Sequence, residues 1–205
     1  MRGDRPHSAR SARKLSGLTG AVLAGLLLLP LQLARADDAP PEAAQPCLSC
    51  HGEPLAEGVP AIAGRGNNYI QTQLVFFRSG RRKNEIMQGM AGGLSDNDIR
   101  TLGKYFSSLP VPNLSAPPDD RPELTKAGAE AAARARCANC HGDDFTGAQA
   151  APRVKQLPEA YLAKALTDYR DATRPSSGGA AMTEVAGSLS DDDIKELAHY
   201  LAVMP

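Results

Sequence analysis

Apolar residues recur at helical spacing in several stretches of the chain, and each stretch has a counterpart further on. Ile99, Leu102 and Phe106 follow Ser95 and Asp98, a serine and an acid three residues on that suit the first turn of a helix. Ser190, Asp193, Ile194, Leu197 and Leu201 repeat the arrangement. Upstream of each, Tyr69, Leu74 and Phe77 in one half and Tyr161, Leu162, Leu166 and Tyr169 in the other predict a second amphipathic helix. "ELTKAGAEAAARAR", ahead of residue 137, is rich in helix formers. The corresponding "DDAPPEAAQP" ends on Pro46, so the leading helix of the first half is expected to be short or missing. No stretch alternates with period two, and the predicted fold class is all-α.

The matching stretches are a repeat. "NYIQTQLVFFRSGRR" at 68–82 answers "AYLAKALTDYRDATR" at 160–174, and "LSDNDIRTLGKYFSSLP" at 94–110 answers "LSDDDIKELAHYLAVMP" at 189–205. A period near 90 residues is too long for a solenoid and suits a duplicated small domain. Between the copies, "VPNLSAPPDDRP" is proline-rich and aperiodic, a stiff extended linker. The expected organisation is a first domain at 37–112, a linker at 113–119 and a second domain at 120–205.

Residues 1–36 stand apart. Arg2, Arg5, Arg10, Arg13 and Lys14 precede "GLTGAVLAGLLLLPLQL", and "ARA" follows. A basic head, an apolar run shorter than the roughly 20 residues that span a bilayer, and an A-x-A exit predict a signal peptide cleaved after Ala36 and export to the periplasm. The alternative is an N-terminal membrane anchor facing the periplasm. Removal of this segment takes six of the 23 basic and one of the 23 acidic residues, which leaves 17 against 22. A mildly acidic exported chain has no electrostatic use for phosphate backbones, so no nucleic-acid partner is expected.

All the cysteines lie in two motifs, "CLSCH" at 47–51 and "CANCH" at 137–141. Four cysteines in an oxidising compartment could form two disulfides, and C-x-x-C alone could be a redox pair or half a zinc site. The histidine after each second cysteine changes the reading. Covalent haem attachment needs two thiols spaced to reach two vinyl groups, with an imidazole beside them for the iron. Zinc would need further ligands, and residues 37–113 contain no other cysteine or histidine. Two haem c groups are therefore expected, one held by Cys47 and Cys50 with His51, the other by Cys137 and Cys140 with His141.

After residue 36 the only further histidine is His199. It aligns with Lys104 and reads as a solvated helix residue. Bis-histidine ligation in the first half would need a histidine borrowed from elsewhere; methionine is the available soft donor, with Met90 as an alternative in the first half, and the repeat selects one in each half: Met87 and Met182 each lie seven residues before the leucine of "LSDND" or "LSDDD". Met90 has Val185 opposite it and reads as packing, as does Met204 at the chain end. An iron held by His and Met has no open position. It changes oxidation state without binding substrate, so an electron carrier is expected, not an enzyme.

Tandem C-x-x-C-H-G motifs, the tyrosine-bearing helices ending in "FRSGRR" and "YRDATR", and a methionine seven before "LS-D-x-D-I" make the chain resemble the dihaem cytochrome c4 family of bacterial periplasms. The likeness covers nearly all of the chain after residue 36. It implies two cytochrome c-like helical domains, each wrapped around one covalent haem c, related by a pseudo-twofold axis with propionate edges near the interface. It also implies that Pro60 and Pro152 steer the proximal histidines through their carbonyl groups. The pairs Arg78 with Arg170 and Arg81 with Arg174 are candidates for propionate contact. "PRVKQLP" at 152–158 departs from the family pattern that "PAIAGRG" at 60–66 approaches. The partners expected are redox proteins, with peripheral contact to membrane respiratory complexes. The alternatives are a dihaem electron-transfer subunit of a dehydrogenase such as a flavocytochrome sulfide dehydrogenase, and a haem enzyme or gas sensor. The run "RSGRRK" at 78–83 and Asp191, Asp192 and Asp193 suit a charge-polarised molecule with a different partner at each end; the alternative is that they are solvated surface residues.

Overall fold

The computed structural model describes residues 39–147 and 151–205. Residues 1–36, the expected signal peptide, lie outside the described residues. The described chain is helical and carries no strand. A 3-10 turn at Glu42–Ala44 runs straight into α1, Gln45–His51, and this turn is all that precedes the first cysteine motif in the described residues. Pro46 sits in the first turn of α1, where its missing N–H is no loss. Then follow α2 (Asn67–Arg78), α3 (Glu85–Gly92) and α4 (Asp96–Ser108). An irregular linker leads to the second set: α5 (Pro122–Arg134), α6 (Ala138–His141), α7 (Glu159–Arg170), α8 (Ala181–Ala186) and α9 (Asp191–Val203). None of these helices is long and apolar enough to cross a membrane.

The two last helices start alike because their sequences do. Ser95 accepts a hydrogen bond from the backbone N–H of Asp98, whose carboxylate accepts from the Ser95 N–H; Ser190 and Asp193 form the same box on α9. α4 buries Ile99, Leu102 and Phe106, and α9 buries Ile194, Leu197 and Leu201, as the spacing predicts. Each half has its own core. The first gathers Ala44, Ile70, Leu102 and Phe106, and the larger second one runs from Ala131 to Ala202.

The second core is larger because α5 exists. It crosses α9 at Gly128, where a β-carbon would run into the Glu196 carbonyl group and the Tyr200 Cβ. Glycine is the side chain that this approach allows. The loop after each haem motif also returns to the last helix in the same way. Gly64 donates its N–H to the Phe106 carbonyl, and Gln156 donates to that of Leu201, its counterpart. Both residues adopt a left-handed backbone. "PRVKQLP" therefore builds the turn that "PAIAGRG" builds, with a glutamine where the first copy has glycine.

His199 differs from its expectation. It is 1 % exposed, with Nδ1 3.0 Å from Glu159 Oε2 and Nε2 3.1 Å from Asp119 Oδ1. Arg121 also reaches Glu159, at 2.7 Å. A solvated residue was expected because Lys104 aligns with it. In fact the second copy uses the imidazole to fasten the linker onto α7 and α9. Burial alone would lower the pKa of His199; Glu159 and Asp119 outweigh it and raise it.

Candidate haem centres and the interface between them

None of the four cysteines is in a disulfide; Cys47 and Cys137 are half-buried and Cys50 and Cys140 exposed. His51 closes α1 and His141 closes α6, so each imidazole leaves its helix one residue after a cysteine. His51 Nδ1 lies 3.0 Å from the Pro60 carbonyl oxygen, and His141 Nδ1 lies 2.8 Å from that of Pro152. Donation to these carbonyls fixes the tautomer and leaves Nε2 free for a metal. Burial lowers both histidine pKa values against the raising effect of the proline carbonyls, and the Arg65 charge lowers them further. The steering role expected of Pro60 and Pro152 is what the geometry provides.

A cavity of about 510 Å³ lies in the second half. Cys137, Cys140, His141 and Met182 line it together, with Phe145, Leu162, Leu166, Leu197 and Leu201 for its apolar walls. The short helix α8, which periodicity did not reveal, carries Met182. In the first half α3 carries Met87, whose backbone N–H donates to the Asn84 cap. Met87 is half-buried, whereas Met90, one turn on, is 40 % exposed.

The polar end of the cavity is formed by arginines. Arg65, from the first half, and Arg174 both line it, as do Tyr69 and Tyr161. Arg65 is 7 % exposed and donates to the carbonyl oxygens of Ala61 and Arg153. Arg174 is 3 % exposed and stacks on Tyr169 at 4.5 Å; Arg82 stacks on Phe77, the counterpart of Tyr169, at 4.4 Å. Among the described residues, no carboxylate pairs with Arg65, Arg82, Arg153 or Arg174. The Nε atoms of Arg153 and Arg174 are buried without a partner. Buried cations and donors of this kind call for anions. Each haem carries a pair of propionates, so the donor set fits the group that the cysteine motifs imply. Burial pushes the Tyr161 phenol up, but Arg174, Arg82 and Arg65 outweigh it and bring its pKa down to about 7. Tyr169 is instead pushed up to about 12 by burial.

The register of the arginines corrects the sequence expectation. The repeat places Arg174 opposite Arg82, not Arg81, and the structure uses that pair at the interface between halves. Arg82 Nη2 donates to Tyr161 Oη at 3.3 Å, and Arg174 Nη2 donates to Tyr69 Oη at 3.1 Å. Since the two tyrosines also share a repeat position, the contact is reciprocal, like an isologous dimer interface. Arg81 instead lies over Phe76 at 4.7 Å. Arg78 and Arg170 do not face the cavity; they pair with Asp96 and Asp191, each at 2.7 Å. The runs that suggested charged poles are therefore largely used up. Of "RSGRRK", Arg81 and Lys83 remain exposed and, among the described residues, without an ion pair, and Asp191 and Asp193 are paired with Arg170 and Arg134.

Two C-x-x-C-H sites on one helical scaffold define a dihaem c-type cytochrome that transfers electrons. A cytochrome c family model matches residues 125–204. A protein of Stutzerimonas stutzeri described as "Thiosulfate dehydrogenase electron acceptor" is 34 % identical over 173 residues, 78 % of this chain and 79 % of that one. Cytochrome c4 of Pseudomonas aeruginosa is 31 % identical over 167 residues, 76 % of this chain and 82 % of that one. The crystal structure of reduced recombinant cytochrome c4 from Pseudomonas stutzeri superposes with a TM-score of 0.67 at 31 % identity, covering 79 % of this chain and 95 % of that one. The chain belongs to the cytochrome c4 family and carries two covalent haem c groups.

Proposed function

We propose that this cytochrome is a periplasmic two-electron shuttle in which His51 and Met87 ligate one iron and His141 and Met182 the other. The observation that carries the reading is the repeated geometry: a histidine anchored through Nδ1 on a proline carbonyl, and a methionine on the short helix before the last one, at the same register in both halves. Domain limits of 37–112 and 120–205, with the linker at 113–119, agree with the two separate cores.

When bound, haem iron supplies a one-electron couple, and a thioether ligand favours its ferrous form. The chain does the rest. Pro60 and Pro152 hold each imidazole in one tautomer, and the apolar walls around Met182 keep water from the second centre. Arg65 and Arg174 set a positive field at the cavity's polar end. With a histidine and a methionine to hold each iron, no coordination position would be left for a substrate, and the protein would act as a carrier and not as an enzyme. Delivery follows export through a signal peptide cleaved after Ala36.

A second reading refines the donor. The Stutzerimonas relative is named as an electron acceptor of thiosulfate dehydrogenase, which favours such a dehydrogenase as this chain's donor, free or in a complex. The test mixes the oxidised dihaem protein with a thiosulfate dehydrogenase and thiosulfate, then adds carbon monoxide. Reduction of both haems, with spectra indifferent to carbon monoxide, supports the shuttle. Carbon monoxide binding to the reduced wild type would point to a haem enzyme or gas sensor.

A further inference from the structure

One polar side chain at the interface breaks the repeat. Gln73 lies on the buried face of α2 with Ile70, Phe76 and Phe77, and is 5 % exposed. The second copy has Ala165 at this position. Gln73 Oε1 accepts from Arg82 Nη1 at 2.6 Å and from Arg174 Nη2 at 3.3 Å, and Nε2 donates to Ser177 Oγ at 2.6 Å. Both lone pairs of one amide oxygen are thus spent on arginines from opposite halves. A buried amide is costly without partners, and here every partner belongs to the arginine system or to the loop after α7.

We infer that Gln73 is a positioning residue that fixes the separation of Arg82 and Arg174 and thereby couples the two redox centres. The inference rests on the proposed shuttle reading, in which electrons redistribute between the haems. Arg174 lines the second cavity, and Arg82 holds the same repeat position in the first half. Each guanidinium carries charge that favours the reduced state of the centre beside it. Because one oxygen accepts from both, the two guanidinium groups are held within reach of a single point and their separation is fixed. The reciprocal Arg–Tyr contacts give the interface its symmetry, and Gln73 ties the two contacts to one point.

The test uses the full-length dihaem protein, with one electron injected photochemically and its passage between haems followed by absorbance. Gln73→Leu keeps the volume and removes the acceptor; it should slow intramolecular transfer about tenfold, the scale of one lost charge-assisted hydrogen bond. Deuterium uptake across residues 173–177, which Gln73 holds through Arg174 and Ser177, should rise at the same time. Gln73→Glu retains an acceptor for both arginines but cannot donate to Ser177, so it should recover most of the rate. Gln73→Ala, the residue of the second copy, should be as slow as the leucine variant. Unchanged transfer in Gln73→Leu and Gln73→Ala would overturn the inference, as would equal slowing by leucine and glutamate. Absence of intramolecular transfer in the wild type would overturn the shuttle reading itself, and this inference with it.

Discussion

Gly128 gives the sharpest test of how the second domain is packed. It sits in the middle of α5, where alanine normally gains about 1 kcal/mol over glycine from helix propensity. Here the added methyl would lie 2.6 Å from Tyr200 Cβ and closer still to the Glu196 carbonyl oxygen, which belongs to the α9 backbone and cannot rotate away. Overpacking of this kind costs about 1–3 kcal/mol, and contact with backbone places it in the upper part of that range. Gly128→Ala should therefore destabilise by about 1–2 kcal/mol net, lowering the melting temperature by about 5 °C. Gly89→Ala is the control. Gly89 is also helical, in α3, and a β-carbon there meets nothing within 4 Å. That substitution should stabilise by about 0.5–1 kcal/mol. Guanidinium titration of the haem-loaded proteins, followed by helical circular dichroism, measures both changes. A Gly128→Ala variant that equals or exceeds the wild type would refute the close crossing of α5 and α9.

His199→Gln should show a stability deficit that depends on pH. The raised pKa of His199 means its contribution is fully present below the ordinary 6.5 and fades as pH rises through the higher folded value. The lowered values of Asp119 and Glu159 mean that their share is present above about 4.5 and is lost in acid. The gap between wild type and variant should therefore be widest between roughly pH 4.5 and 6.5, and a gap that grows above pH 8 would contradict the clamp. Met87→Ala should let the first haem bind carbon monoxide and lower its potential, while Met90→Ala, at an exposed position, should change neither; spectra of the reduced variants under carbon monoxide decide. Neutralising Arg81 and Lys83 should flatten the ionic-strength dependence of electron transfer to an acidic partner without altering transfer between haems. Arg82→Gln should slow transfer between haems.

Much of this architecture was legible in the sequence because repetition and chemistry pointed the same way. The capping serines, the periodic Ile99–Leu102–Phe106 and Ile194–Leu197–Leu201 faces, and the haem motifs all specify local events, and these appear at the expected positions. α3 and α8 were not predicted, since eight and six residues are too few to show a period. The interface was hidden for a different reason. Gln73 has no counterpart in the second copy, so the repeat could not flag it. The Arg82–Arg174 register lies in the repeat itself, one residue from the Arg81–Arg174 pair. His199 was misjudged because its clamp depends on Asp119 and Glu159, 80 and 40 residues away in sequence. The charge runs are spent in the same manner: Arg78 and Arg170 each find an aspartate at the start of the last helix of their half, which composition does not reveal.

The central claim is that each half ligates iron through one histidine and one methionine. The most direct measurement is near-infrared magnetic circular dichroism of the oxidised full-length protein, where histidine–methionine ligation of ferric haem gives a band apart from that of bis-histidine ligation. The wild type should show that band from two haems, Met87→Ala or Met182→Ala should each retain half of it, and the double variant should lose it. A bis-histidine spectrum in the wild type, or loss of the band in Met90→Ala in place of Met87→Ala, would contradict the account.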